Sequence, residues 1–276
     1  MRLTPDDIKQ RDKKIAAPLV CLTAYTYRVA QLLDESCDLF LVGDSVAMVL
    51  YGMDSTVGVS LDTMICHGKA VVNGSETACV IVDMPYGTYE NSPAQACENA
   101  TRILRETNAQ AVKLEGGEAM APTIAAMTAQ GIPVIAHIGL LPQSAALEGG
   151  YKIKGKTQMQ EEQLMRDAMA VQEAGAFAVL IEGTVEPVAR RLTEALSVPT
   201  IGIGASAACD GQILVTEDML GLMPRVPKFV KEYGTMSDDI AKAGAAYAAD
   251  VRARKFPSEE HYYHAPKDAA TKTKVS

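Results

Sequence analysis

Short apolar runs alternate with longer amphipathic segments along most of this chain. The runs are rich in β-branched residues and cover residues 18–23, 38–43, 77–83, 111–115, 133–137, 176–182, 199–204 and 212–215, the last having the weakest pattern. Such alternation is typical of repeated βα units around a parallel sheet, and eight strands are what a closed parallel barrel requires. The sequence therefore predicts an α/β protein with a single-domain (β/α)8 barrel, known as a TIM barrel.

Helix signals lie between these runs. Residues 92–107 begin with Ser-Pro, a typical cap and first turn, and residues 160–174 are followed by Gly175, which marks a helix end. The barrel domain is predicted to span residues 1–265. Residues 266–276 lack apolar side chains that could anchor them, so we expect a mobile C-terminal tail.

Composition narrows the class of protein. The 276 residues approach the roughly 250 of a typical barrel. A net charge of -8 disfavours nucleic-acid and membrane partners. We also find neither a signal peptide nor a long uncharged apolar stretch. Six cysteines without a Cys-x-x-Cys pair fit free thiols in a reducing compartment. The prediction is a soluble cytoplasmic protein that acts on a small molecule.

Polar residues close five successive strands of the predicted barrel, although buried parallel strands are normally apolar throughout. These residues are Asp44 and Ser45, Asp83, Lys113 and Glu115, His137, and Glu182. The carboxyl ends of barrel strands meet at one mouth, where barrel enzymes have their active sites. Lys113 and Glu115 are two positions apart, so both are expected to point into the barrel.

A metal site follows from the charges. Asp44, Asp83 and Glu115 would repel each other unless their pKa values rise or a cation lies among them, and oxygen ligands favour Mg²⁺. Each residue alone also has an ordinary structural interpretation. A single Asp after a strand is often a helix cap or a turn residue, Lys113 could form a buried ion pair without a catalytic role, and His137 could be a hydrogen-bonded core residue.

Several motifs in order carry a family resemblance. They read LVGDSVAMVLYGMDST, VDMPYGTY, VKLEGGE, AHIGLLPQS, GGYKIKG, LIEG, TIGIGASAACDGQILV and PKFVKEY. Residues 19–261 thereby resemble the ketopantoate hydroxymethyltransferase family. The resemblance implies a (β/α)8 barrel that uses Mg²⁺. It also implies transfer of a hydroxymethyl group from 5,10-methylenetetrahydrofolate to 3-methyl-2-oxobutanoate, which gives 2-dehydropantoate for pantothenate and coenzyme A synthesis, and assembly as a homodecamer.

The resemblance also implies a role for each polar residue at the strand ends. The metal ligands would be Asp44, Asp83 and, directly or through water, Glu115. The substrate would contact Asp44, Ser45, Asp83, Lys113 and His137. Glu182 would be the catalytic proton acceptor. We expect the metal to stabilise an enolate of the oxo acid, while Glu182, with a pKa raised by burial, carries the proton at C3 or at the folate nitrogen.

Three positions depart from the family pattern: Met53 where His or Tyr is usual, Leu141 for Thr, and Ser206 for Gly. None is a proposed ligand. One interpretation is that they bear on packing or on the folate entrance, and the interpretation we favour is neutral drift.

Two other functions remain open at this stage. One is a lyase or mutase of the phosphoenolpyruvate mutase and isocitrate lyase kind, although Cys66 and His67 lack the intervening Gly of its lid motif. The other is a non-catalytic, metal-stabilised binding protein, which would not need Glu182.

Overall fold

A computed structural model describes residues 1–145 and 147–264. Within them, eight parallel strands form a closed barrel in chain order. The strands are β1 (Leu19–Thr23), β2 (Leu39–Val42), β3 (Cys79–Asp83), β4 (Ala111–Glu115), β5 (Val134–Gly139), β6 (Ala178–Glu182), β7 (Thr200–Ile203) and β8 (Gly211–Leu214). Closure comes from β1 and β8, where Cys21 lies opposite Ile213. The predicted (β/α)8 barrel is confirmed, including its eighth strand.

Helices alternate with most of the strands along the chain, and the first of them precedes β1. They are α1 (Pro5–Lys9), α2 (Tyr27–Leu33), α3 (Val46–Val49), α4 (Leu61–Gly74), α5 (Pro93–Thr107), α6 (Ala121–Ala129), α7 (Gln158–Glu173), α8 (Glu186–Ala195), α9 (Thr216–Met219) and α10 (Met236–Arg252).

Side-chain caps decide where two predicted helices begin. In α5 the Ser92 hydroxyl accepts a hydrogen bond from the backbone N–H of Gln95, as the Ser-Pro start predicted. Helix α7 begins before the predicted residue 160 because Thr157 is its cap and accepts from the N–H of Gln160. The apolar pattern located this helix, and the polar cap fixes its first turn.

Each strand separates two apolar cores. On β2, Leu39 and Leu41 point into the barrel, while Phe40 and Val42 pack against the helices. Helix α1 closes the amino-terminal end of the barrel, since its fully buried Ile8 joins the inner core. The polar composition of residues 1–14 did not indicate this packing. With one end filled by apolar side chains, the open end lies at the carboxyl ends of the strands.

The C-terminal helix α10 lies outside both cores. None of its residues is buried, and its apolar side chains Ile240, Tyr247 and Val251 are exposed. Among the described residues no helix is long and apolar enough to cross a membrane. The predicted tail, residues 266–276, lies outside the described residues, and the domain limit at residue 265 stays a prediction.

Candidate active site

The polar residues predicted at the strand ends do converge. Asp44 and Ser45 follow β2, and Asp83, Glu115 and Glu182 are the last residues of β3, β4 and β6. One cavity of about 460 Å³ is lined by all seven predicted site residues, Asp44, Ser45, Asp83, Lys113, Glu115, His137 and Glu182. The strand register explains the convergence, because it places Asp83 opposite Lys113, Glu115 opposite His137, and Glu182 opposite Gly139.

A close backbone approach brings Asp44 to Asp83. The N–H of Asp44 donates to Oδ2 of Asp83 over 3.0 Å. A Cβ at Gly43 would lie 2.8 Å from the Ser45 hydroxyl oxygen and 3.5 Å from Asp83 Oδ2, so a side chain at this position would crowd the site. Glycine at position 43 therefore lets two acidic residues from neighbouring strands meet.

Lys113 forms a buried ion pair with Asp83. Its Nζ lies 2.8 Å from Oδ1, and both side chains are almost fully buried. Burial alone would lower the pKa of Lys113, but the carboxylates of Asp83, Glu115 and Asp44 raise it above its usual value. The lysine is therefore a fixed positive charge in the cavity wall, and it compensates part of the surrounding negative charge.

The other two predicted metal ligands are acids with raised pKa values. Burial raises the pKa of the Asp44 carboxyl, and the neighbouring Asp83 adds to this. Burial also raises the pKa of Glu115 well above its ordinary value, while Lys113 lowers it. A cation among these carboxylates would stabilise their charged forms.

His137 lies between Lys113 and Glu182. Burial and Lys113 lower its pKa well below the usual value, so the imidazole is neutral. Nδ1 lies 3.3 Å from the Lys113 ammonium, which can only donate, and we therefore assign the ring proton to Nε2. Nε2 lies 3.3 Å from Oε2 of Glu182, whose pKa burial raises to about 7. Glu182 can accordingly exchange a proton near neutral pH.

The donor set fits a hard cation that keeps positions open for substrate. Among the described residues no three His, Cys, Asp or Glu side chains form a ready metal site. Mg²⁺, however, commonly takes one or two protein carboxylates and completes its shell with water and substrate oxygens. Asp44 and Asp83 are adjacent, and Oδ1 of Asp83 is buried with no aligned hydrogen-bond donor in the described chain. Glu115 as a ligand, direct or through water, stays a prediction.

Sequence reasoning missed three polar residues beside the site. The Tyr25 hydroxyl lies 2.7 Å from the Ser45 hydroxyl. The Gln143 amide donates to Asp44, and the Tyr89 hydroxyl bonds to Gln143. Gln143 and Tyr89 belong to the quoted motifs AHIGLLPQS and VDMPYGTY, which were the available signals, while Tyr25 lies in a connection that carries no charge pattern.

The three departures from the family pattern do not line the cavity, although Leu141 stands between two residues that do, Leu140 and Pro142. Met53 is partly exposed, Leu141 precedes a short 3-10 turn, and the Ser206 hydroxyl donates to Glu186. None is among the residues that line the cavity. Their predicted bearing on folate entry stays a prediction.

Fold and site together define an α/β-barrel enzyme with an acid–base centre at the carboxyl ends of its strands. Comparison with known families then makes the assignment specific, because residues 2–259 match the model of ketopantoate hydroxymethyltransferase. The chain belongs to the ketopantoate hydroxymethyltransferase family. It is therefore an enzyme that transfers a one-carbon unit, a hydroxymethyl group.

Relatives named 3-methyl-2-oxobutanoate hydroxymethyltransferase match over almost the whole chain. The protein from Mesorhizobium japonicum is 60% identical, with 93% of this chain and 90% of the relative covered. That from Rhizobium etli is 57% identical, with 95% and 96% covered. That from Bordetella petrii is 58% identical, with 92% of each chain covered. The family resemblance inferred from the motifs is confirmed.

Solved structures share the barrel at low sequence identity. A phosphonopyruvate hydrolase has a TM-score of 0.61 at 15% identity, with 95% of this chain and 92% of that one covered. A 2,3-dimethylmalate lyase, described as a member of the PEP mutase/isocitrate lyase superfamily, has a TM-score of 0.56 at 16% identity, with 92% and 96% covered. These likenesses concern the fold alone.

Proposed function

We propose that the enzyme transfers the hydroxymethyl group from 5,10-methylenetetrahydrofolate to 3-methyl-2-oxobutanoate, giving 2-dehydropantoate. The observation that carries the proposal is Glu182, an acid with a pKa near 7 that faces the same cavity as the Asp44, Asp83 and Lys113 cluster. A proton acceptor beside a site for an anionic oxo acid is what this reaction needs. The names of the relatives support the choice of substrate.

Lys113 and Ser45 would hold the oxo acid. The ammonium group of Lys113 is buried and held by Asp83, 2.8 Å away. It is therefore already in position to bind a substrate carboxylate. Ser45 is oriented by Tyr25 over 2.7 Å. His137 lies beside Lys113 and would border the substrate. Together they would fix the oxo acid with its C3 hydrogen toward Glu182.

Asp44 and Asp83, with Glu115 directly or through water, would hold Mg²⁺. When bound, this ion supplies a Lewis acid that polarises the oxo group and acidifies the neighbouring C3 hydrogen. A phosphonopyruvate hydrolase of the same fold, with a TM-score of 0.58 and 16% identity, has been solved with oxalate and Mg²⁺, which supports this assignment. The adjacent acids Asp44 and Asp83 provide oxygen ligands suited to such an ion.

Glu182 would take the C3 proton. The C3–H bond breaks, its electron pair forms the enolate, and that carbon then bonds to the one-carbon unit of the folate. Water supplies the hydroxyl oxygen of the product. Both C–N bonds of the one-carbon unit break, and the two folate nitrogens take up two protons, one that came from C3 by way of Glu182 and one from the water. His137 lies beside Glu182, with Nε2 3.3 Å from Oε2 but not aligned for a hydrogen bond, and because the ring is neutral it does not lower the basicity of the carboxylate as a cation would.

The outer part of the cavity would receive the folate. The cavity, at about 460 Å³, exceeds the space a five-carbon oxo acid needs and is within the range of cofactor sites. Its outer wall includes Tyr151, Ile153 and Phe229, with Lys228 beside them. Apolar and aromatic side chains suit the flat pterin ring, and a lysine suits the glutamate tail of folate.

Replacement of Glu182 tests the proposal. Glu182→Gln keeps the shape of the side chain and removes the base. It should bind 3-methyl-2-oxobutanoate with nearly unchanged affinity and lose about 10²–10⁴-fold in turnover. Exchange of the C3 hydrogen in D₂O, with Mg²⁺ and tetrahydrofolate present, should fall in parallel. Normal turnover in this variant would refute the role of Glu182.

We also propose a homo-oligomeric, cytoplasmic enzyme. Helix α10 carries Ile240, Tyr247 and Val251 at spacings that place them on one exposed stripe, and such stripes are usually covered by another chain. The family resemblance suggests a decamer. Six free cysteines suit a reducing compartment. Sedimentation of Ile240→Glu beside the unchanged protein tests the assembly, and identical sedimentation of both as monomers would contradict it.

A further inference from the structure

Gln143 is a buried amide that spans two of the proposed metal ligands. It lies in the 3-10 turn Pro142–Ser144, which follows β5. Its backbone N–H donates to Oε2 of Glu115 over 3.0 Å, and its side-chain Nε2 donates to Oδ2 of Asp44 over 2.8 Å. A single residue therefore connects carboxylates from different parts of the barrel, one just after β2 and one at the end of β4.

The partners fix the orientation of this amide. Nε2 faces two acceptors, the Asp44 carboxylate and, at 3.1 Å, the carbonyl oxygen of Met84. Oε1 accepts from the hydroxyl of Tyr89. A flipped amide would set its oxygen against two acceptors, so only the observed orientation satisfies every partner.

Tyr89 closes the connection. Its hydroxyl has one proton, which goes to Gln143, and it accepts a hydrogen bond from the backbone N–H of Glu115 over 3.3 Å. The side chain is 2% exposed, and burial raises its pKa, so the hydroxyl remains a donor. The hydrogen bonds thus run in one direction, from the Glu115 backbone through Tyr89 and Gln143 to the Asp44 carboxylate.

We propose that Gln143 and Tyr89 are positioning residues that act as one unit to hold the Asp44 and Glu115 carboxylates for Mg²⁺. The inference rests on the proposed function, which places the metal there. Neither residue needs to contact the metal or the oxo acid. Partners of this kind that orient metal ligands typically contribute 10–100-fold to metal affinity or activity.

Magnesium titration of purified variants tests the proposal. Gln143→Met keeps nearly the same length and volume and retains the backbone bond to Glu115, but it removes all side-chain hydrogen bonds. We expect the Kd for Mg²⁺, measured by calorimetry with 3-methyl-2-oxobutanoate present, to rise about 10–100-fold. Tyr89→Phe removes one oxygen atom and should raise Kd less, because it reaches Asp44 only through Gln143.

The double variant shows whether Gln143 and Tyr89 act together on the affinity for Mg²⁺ or contribute to it independently. If Tyr89 acts through the Gln143 amide, Tyr89→Phe should add less than about twofold to Kd in the Gln143→Met background. If the two replacements instead raise Kd by independent factors that multiply, the proposal that the two residues act together is refuted. The matched control is Gln172→Met, near the carboxyl end of α7. It removes an amide whose oxygen accepts hydrogen bonds from the backbone N–H and the hydroxyl of Ser197. It should lower Tm and leave Kd unchanged.

The outcomes separate the two proposals. If the unchanged enzyme binds Mg²⁺ and Gln143→Met binds it equally tightly, the positioning role is refuted while the proposed function stands. If the unchanged enzyme binds no Mg²⁺ in the presence of the oxo acid, both are overturned. An equal rise of Kd in Gln172→Met would show a general effect of instability and would also refute the positioning role.

Discussion

Nε2 of His137 lies 3.3 Å from Oε2 of Glu182, and this contact joins a neutral imidazole to an acid whose pKa burial raises to about 7. The ring stays neutral because burial and the Lys113 cation lower its pKa. Nε2 is not aligned for a hydrogen bond to this carboxyl, so the ring acts on it chiefly through its charge. A neutral ring does not lower the pKa of the neighbouring carboxyl as a full positive charge would, and Glu182 stays able to accept a proton near neutral pH.

The pH dependence of turnover should report Glu182. Its carboxyl is the acceptor in the deprotonated form, so kcat/KM should rise about tenfold per pH unit below pH 7 and level off above it. Rates with 3-methyl-2-oxobutanoate from pH 5 to pH 9 measure this. The residual rate of Glu182→Gln should lack the rise, and an identical profile in that variant would assign the titration to another group.

Removal of the buried cation should cost stability as well as binding. Lys113→Met leaves Asp83 buried and unpaired, so we expect the free energy of unfolding in urea to fall by about 3–5 kcal/mol. Affinity for the oxo acid should fall too. Lys69→Met is the matched control, because its pair with Glu106 is partly exposed and is worth at most about 1 kcal/mol. Equal losses in both variants would contradict the account.

Glu217, which is not a proposed metal ligand, tests whether burial raises the pKa of a carboxyl group in this fold. Its side chain is buried with Oε2 unpartnered in the described chain, and burial raises its pKa from 4.5 to about 7. A raised carboxyl pKa stabilises the fold fully below pH 4.5, and this contribution is lost as pH rises through 7. Glu217→Gln does not titrate there. Its stability relative to the unchanged protein should therefore increase between pH 5 and pH 8, by at most about 3 kcal/mol.

Urea unfolding at the two pH values measures this difference, since all other titrating groups are shared. Glu194→Gln, on the exposed face of α8, is the control for a Glu-to-Gln replacement at a site that is not buried. A constant difference between Glu217→Gln and the unchanged protein would mean that Glu217 titrates alike in the folded and unfolded states.

The strand ends were predictable because strand geometry is local. Lys113 and Glu115 alternate with apolar residues in one short run, so their inward direction follows from the period of two, and the family motifs then supported their roles. The same periodicity located the weak eighth strand, which lies at Gly211–Leu214. Charge in an otherwise apolar run is a strong signal because burying it needs a partner.

Other features depended on contacts between distant segments. Gln143 bonds to Asp44, which is 99 residues away in the sequence, and the residues around Gln143 do not predict that partner. Ile8 stands in a polar segment, yet it is fully buried because α1 covers the amino-terminal end of the barrel. Single polar or apolar side chains in loops and termini have no period, so their burial becomes visible only when the strands and helices are assembled.

Product formation tests the central claim most directly. The enzyme should convert 3-methyl-2-oxobutanoate and 5,10-methylenetetrahydrofolate into 2-dehydropantoate in the presence of Mg²⁺. A chelator should abolish the reaction, and excess Mg²⁺ should restore it. Product formation at an unchanged rate with the metal removed, or cleavage of the oxo acid without folate and without 2-dehydropantoate, would contradict it.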